Sequence, residues 1–173
     1  MRTIVAALAL AALTACVGDS EEGTRFAERG IALTAPSTWS VTGFSVNVTP
    51  HRLVAASYDV RAADVEGDCG GQAAVTRLPR DGAYLVLIDY GAYPRSVDTD
   101  DFGEERPTSG RDEPFRRDRF AHFECFGPSH AFLFVIEGRA LQAHLGIGSD
   151  ATAERRDEAV EVLRSIIVER DPP

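Results

Sequence analysis

The sequence predicts an α+β fold: a single antiparallel sheet with a short helix after its first strands and a C-terminal amphipathic helix packed on one face. Three observations lead there. Short apolar runs alternate with polar residues between Gly, Pro and Ser breaks, the period-two pattern of half-buried strands. One run, "AYLVLIDY" at 83–90, is apolar on both faces, as a central strand must be. From 151 to about 167 the period changes, and Ala159, Leu163, Ile166 and Ile167 fall on one helical stripe with charges elsewhere. Strands grouped ahead of a closing helix make an α+β arrangement in which the helix lies across a sheet face.

Taken in order, "GIALTAPSTWSV" from Gly30 reads as a short apolar strand, a Pro-Ser break and a buried Trp39. "GFSVNVT" alternates Phe44, Val46 and Val48 against Ser45 and Asn47, and "HRLVAASYDV" is its hairpin partner. Asp68 is a good N-cap for a short helix that must stop near Pro79. Residues 91 to about 118 are rich in Asp, Glu, Pro and Gly and read as a long polar loop. Strands then follow at Arg119–Phe126, Ala131–Glu137 and Arg139–Ile147, with "GP" and "EG" as the turns.

The chain has 173 residues, enough for one domain with a real core. All 18 basic residues are Arg, against 27 Asp and Glu, for a net charge of −9. Binding to a phosphate backbone needs a concentrated basic face, so nucleic acid is not an expected partner.

The first residues carry an address. Arg2 and the amino terminus form a minimal positive region, and Ile4 to Leu13 an apolar run too short for the about 20 residues a membrane span requires. Residues 1–15 therefore read as a signal peptide. The run closes on Leu13-Thr14-Ala15-Cys16, which resembles the lipobox of bacterial lipoproteins. The resemblance implies cleavage before Cys16, a diacylglyceryl group on its thiol and further acylation of the new amino terminus, and two or three acyl chains anchor stably where one does not. Residues 16–29 then read as the lipidated Cys and a flexible tether, twelve residues of which reach roughly 40 Å at about 3.3–3.6 Å each. Residues 30–173 form the single α+β domain. The expected location is the cell membrane, lipid-anchored and facing the extracytoplasmic side.

A second resemblance covers most of 30–168. "GIALTAPSTWSV", "CFGPSH", "GRALQAHLGIG" and "AVEVLRSIIV" are similar to uncharacterised exported domains of actinobacterial type, loosely PsbP-like in plan. That family implies no reaction.

With Cys16 assigned, Cys69 and Cys125 remain, and outside the cytoplasm an even pair is most simply a disulfide. Two rival readings stand beside it. Cys69 at a helix N-terminus could be a redox-active thiol, although no CxxC supports it. Zinc could be held with His122 or His130, but His122 and Cys125 are three apart on a predicted strand and point to opposite faces. "DTDDFG" at 98–103 resembles half of a calcium loop, with Ser109 where the bidentate Glu belongs, so it reads as a solvated acidic loop. No nucleophile elbow, HExxH, Walker lysine or Rossmann spacing is present, and neither cofactor nor metal is expected. Alternation puts Gln142 and His144 opposite Leu141, Ala143 and Leu145, and His122 and Glu124 opposite Ala121, Phe123 and Cys125. If the two strands are neighbours, His122, Glu124, Gln142 and His144 make one polar binding face away from the last helix. The expected function is thus a non-catalytic binding or interaction domain for an envelope protein or small ligand. The alternative is an extracytoplasmic enzyme or thiol-redox protein using Cys69.

Overall fold

The computed structural model describes residues 23–47, 50–67, 69–92, 121–123 and 125–169. The fold is α+β, but its strands make two sheets and not one. A three-stranded sheet has the order β1–β2–β9, with β1 Thr24–Glu28, β2 Ile31–Ala35 and β9 Ile167–Val168. The second has the order β3–β4–β5–β8–β7–β6, with β3 Ser40–Val41, β4 His51–Ala56, β5 Ala83–Ala92, β6 Ala121–Phe123, β7 Gly127–Ile136 and β8 Arg139–Ile147. Every pairing is antiparallel.

β1 lies inside the stretch expected to be tether, so the folded part begins by Thr24 and not at Gly30. The reason is visible in its burial: as an outer strand it leaves Thr24, Arg25 and Ala27 exposed and is held by its backbone ladder to β2, which requires no apolar pattern. The β1–β2 turn, Arg29-Gly30, and the β7–β8 turn, Glu137-Gly138, both have positive φ at both residues. That is the two-residue geometry whose twist matches antiparallel strands, and Gly takes the second position without strain.

Residues 42–47 do not continue a strand, contrary to the alternation at 44–48. Thr42 and Ser45 are buried and run beside β4 by lending it their hydroxyls: Val54 N–H donates to Thr42 Oγ1 (3.0 Å) and Arg52 N–H to Ser45 Oγ (2.9 Å). Phe44 is buried in the core, whereas Val46 is 70% exposed. Gly127-Pro128, expected as a turn, belongs to β7, and the bend falls at Cys125-Phe126 instead. Pro128 pairs with His122 of β6, while pairing to β8 starts only at His130, so no β8 carbonyl is waiting for the missing proline N–H.

The first helix, α1, is only Gln72–Thr76 and starts from Gly71, not Asp68, which lies outside the described residues. The last, α2, is Ala153–Arg164, capped by Thr152, whose hydroxyl accepts from Arg155 N–H (3.1 Å), with Glu154 in the first turn and Arg164 in the last as the helix dipole favours. Ala159 and Leu163 are buried as the stripe requires, but the helix ends at Arg164: Ile166, beyond it, is buried too, whereas Ile167 lies in β9 and is 47% exposed.

α2 packs on one face of the large sheet, where Leu85, Leu87, Leu141, Ala143 and Leu145 meet Leu163 and Ile166 together with Ile31 and Leu33 of the small sheet. The opposite face is also covered in part: Val54, Tyr84, Val86 and Ile88 pack against Val65, Ala74 and Phe126. Each fully buried Leu, Ile or Phe contributes about 1.5–3 kcal/mol of burial, so both layers matter. Among the described residues no helix is long and apolar enough to cross a membrane.

Candidate functional site

The sheet face away from α2 carries an unbroken row of polar side chains. Tyr84 sits on β5 directly opposite Gly146 of β8, whose missing Cβ leaves room for the phenol ring to lie across it. The Tyr84 hydroxyl donates to Phe126 O (2.8 Å). Ser129 Oγ lies 3.3 Å from His144 Nδ1, His144 Nε2 lies 2.9 Å from Gln142 Nε2, and the Tyr90 hydroxyl donates to Gln142 Oε1 (2.7 Å). Phe126 covers the imidazole at a ring separation of 4.2 Å.

Ser129 and His144 are both buried, and which of the contacting atoms donates on either side of the imidazole is set by the tautomer it adopts.

Of the residues expected to form a polar binding face, Gln142 and His144 do lie opposite α2, but His144 is buried and not solvated. His122 belongs to β6 opposite Pro128, with Ala121 opposite Ser129. The register therefore sets His122 one residue out of phase with the strand positions that meet His144. The side chain of His122 and all of Glu124 lie outside the described residues, as do Cys16 and the 98–103 loop. Tyr84, Tyr90 and Ser129, which complete the chain, carried no motif; only their even spacing along β5 and β7 marked them.

Cys69 and Cys125 form a disulfide with Cα atoms 5.2 Å apart. It joins the turn before α1 to the β6–β7 bend, and not a helix to a strand as expected, because both elements are shorter than their patterns. Among the described residues no three His, Cys, Asp or Glu side chains are grouped to hold a metal.

Burial lowers both His130 and His144 from the ordinary 6.5 to about 4. Burial also raises the phenols of Tyr58 and Tyr84. Because the unfolded chain binds these imidazole protons more readily, the stability the neutral rings contribute is complete above about pH 6.5 and is lost as pH falls toward 4. At pH 5 each ring should cost about 2 kcal/mol relative to pH 7.5. Urea melts at the two pH values should show this loss, and His144→Gln and His130→Gln should each remove about half of it; an equal midpoint at both pH values would contradict the burial argument.

A second feature is concave. A groove of about 690 Å³ runs between the end of β2 and α2, lined by Gly23, Ala35 and Pro36 on the β2 side and by α2, which adds Val162, on the other. Along α2 the groove meets a row of carboxylates, Glu154, Asp157, Glu158 and Glu161, at helical spacings of three and four. Glu158 is held by Arg155 and accepts from the Trp39 indole (3.4 Å), and Glu161 pairs with Arg164 (2.8 Å). Ser165 Oγ accepts from Thr34 N–H (2.8 Å), a contact two residues beyond the last β2–β9 pair, Ala32 with Ile167. The acidic spacing was legible in the sequence; that β2 would stand beside it was not. No protein-family model, curated protein or solved structure matches this chain, so its function has to be argued from its own residues and geometry.

Proposed function

We propose that this chain is a membrane-anchored extracytoplasmic lipoprotein, held by acyl chains on Cys16, whose domain binds a cationic ligand or a positively charged segment of an envelope protein in the groove between α2 and β2. The observation that carries the binding reading is the groove itself: a size that suits a small ligand or peptide segment, apolar lining from Ala35, Pro36 and Val162, and a row of four carboxylates, two of them already paired with Arg155 and Arg164, that favours positive charge over a phosphate backbone. The anchoring reading is supported by Leu13-Thr14-Ala15-Cys16 after an apolar run and by the Cys69–Cys125 disulfide, which suits an oxidising compartment. Only the seven residues Val17 to Gly23 separate Cys16 from β1. At about 3.3–3.6 Å each they reach about 25 Å, which would keep the groove near the membrane surface.

Two measurements test the two halves. Cys16→Ala should move the protein from the membrane fraction to the soluble one or leave it unprocessed; unchanged retention with normal processing would remove the anchor. For the groove, an Arg/Lys-rich peptide titrated calorimetrically should bind, and the combined Glu154→Gln, Asp157→Asn, Glu158→Gln and Glu161→Gln variant should bind at least about tenfold more weakly, a loss of about 1.4 kcal/mol. Equal affinity for the two proteins would place binding elsewhere.

A further inference from the structure

The β1–β2 turn is fastened to the large sheet by several contacts, and one of them runs through an imidazole, a group that can take up a proton. We propose that the contact between Arg29 of this turn and His51 of β4 is a proton-sensitive tie, which holds while His51 is neutral and releases the Arg29 guanidinium when the imidazole is protonated. This does not rest on the groove, which lies at the other end of the β1–β2 hairpin, beside Gly23 and Ala35.

The donors and acceptors leave His51 a single form. Arg29 Nη2 lies 2.8 Å from His51 Nε2, and a guanidinium has donors only, so Nε2 must be the acceptor. His51 Nδ1 lies 2.8 Å from Ser45 O, and a carbonyl only accepts, so Nδ1 must carry the hydrogen. The neutral Nδ1–H ring satisfies both contacts, and no other form does. The Nδ1 side is also held in place: Ser45 is fully buried, its N–H donates to Arg52 O (2.8 Å), and its hydroxyl accepts from Arg52 N–H (2.9 Å). A proton can therefore add only at Nε2, where it sets donor against donor and cation against cation across 2.8 Å. Rotation cannot restore the bond, because a guanidinium offers no acceptor in any rotamer. Arg29 is exposed, with water at hand for its N–H groups, so it is the partner that leaves.

The charged groups around the pair are already engaged. Asp89 stands directly opposite His51 on β5 and is held by Arg139 and by Gly91 N–H. Glu28, beside Arg29, accepts from Phe44 N–H (3.1 Å), and Glu169, whose N–H donates to Gly30 O (2.8 Å), pairs with Arg25. Arg139 Nη1 donates to the Arg29 carbonyl (2.6 Å), a contact in which neither group titrates. The turn thus keeps its backbone tie to β8 and loses only its side-chain tie to β4. A guanidinium bound at neutral pH is set loose at the turn in acid.

Nitrogen-15 NMR of the His51 ring at pH 7.5 should show hydrogen on Nδ1 and a bare Nε2, and hydrogen on Nε2 would overturn the tie outright. On acidification, the Arg29 guanidinium resonances should move toward those of a solvated arginine with the same midpoint as His51, while those of Arg139, held by Asp89, should not follow. In His51→Gln, which has nothing to titrate at that position, the Arg29 response should vanish. Arg29 signals that ignore the His51 midpoint in the native protein, or that respond equally in His51→Gln, would refute the proposal. So would loss of the folded spectrum before His51 titrates, since the tie would then never open in a folded domain.

Discussion

Replacing Asp89 or Arg139 with Ala should each cost about 3–5 kcal/mol of folding free energy, the largest effect expected of any single substitution that removes one interaction in this domain. Arg139 opens β8, and its guanidinium is bidentate on the Asp89 carboxylate of β5, at 2.9 Å from Nε to Oδ1 and 2.6 Å from Nη2 to Oδ2. The Asp89 side chain is 1% exposed. The pair does more than neutralise itself. Asp89 Oδ1 also accepts from Gly91 N–H (2.8 Å), where the β5–β8 register shifts, and Arg139 Nη1 donates to Arg29 O (2.6 Å) in the β1–β2 turn. One ion pair therefore ties the small sheet to the large one. Removing either partner leaves the other charge buried without its counter-charge, which is the costly case, whereas removing both should cost less than the sum of the singles. A fair control is Arg80–Asp150, 2.9 Å apart but with the Arg side chain 81% exposed; its removal should cost no more than about 1 kcal/mol. Urea denaturation of Asp89→Ala, Arg139→Ala, Arg80→Ala and the Asp89/Arg139 double variant checks all of this, and a loss below about 1 kcal/mol for Asp89→Ala would show that the pair is not structural.

Opening the Cys69–Cys125 disulfide should cost about 4 kcal/mol, by a different route. The two cysteines are 56 positions apart, and in the chain-entropy account closing a loop of that length removes about 4 kcal/mol of freedom from the unfolded chain. Against a total stability of about 5–15 kcal/mol for a domain of ordinary size, that is a large share. Its local consequence follows from position: Cys125 precedes Phe126, which covers His144 and accepts from Tyr84, and the α1 side of the same layer is reached through Cys69, Gly70 and Gly71. A Cys69→Ser, Cys125→Ser protein should melt well below the oxidised one, in line with the native protein held in a dithiol reductant. Its His144 ring should exchange protons and react with acylating reagents faster. A melt unchanged by reductant would mean either that the bond is not formed in solution or that the unfolded loop is already compact.

Patterning in the chain was sufficient for the class of fold, the central place of β5, the β7–β8 hairpin with its Glu137-Gly138 turn, the stripe of α2 and the pairing of the two remaining cysteines. Each of these rests on a local period, a turn residue or an elimination, and each survives without knowledge of what lies beside it. What tertiary structure decided depends on neighbours. β1 and β9 carry almost no burial signal because a ladder to β2 holds them, so the second sheet could not be read from apolar spacing. Val46 and Ile167 are apolar yet exposed, since the chain is not a strand at 42–47 and has passed from α2 into β9 by Ile167. His144 was correctly placed opposite α2 but not recognised as buried, because its cover, Phe126, arrives from a bend that the disulfide sets and that strand alternation does not encode. The one-residue phase between His122 and His144 likewise belongs to the β6–β7 register. Local sequence dictates which face a side chain takes; whether that face meets water, a carboxylate or another ring is decided only when distant segments pack against it.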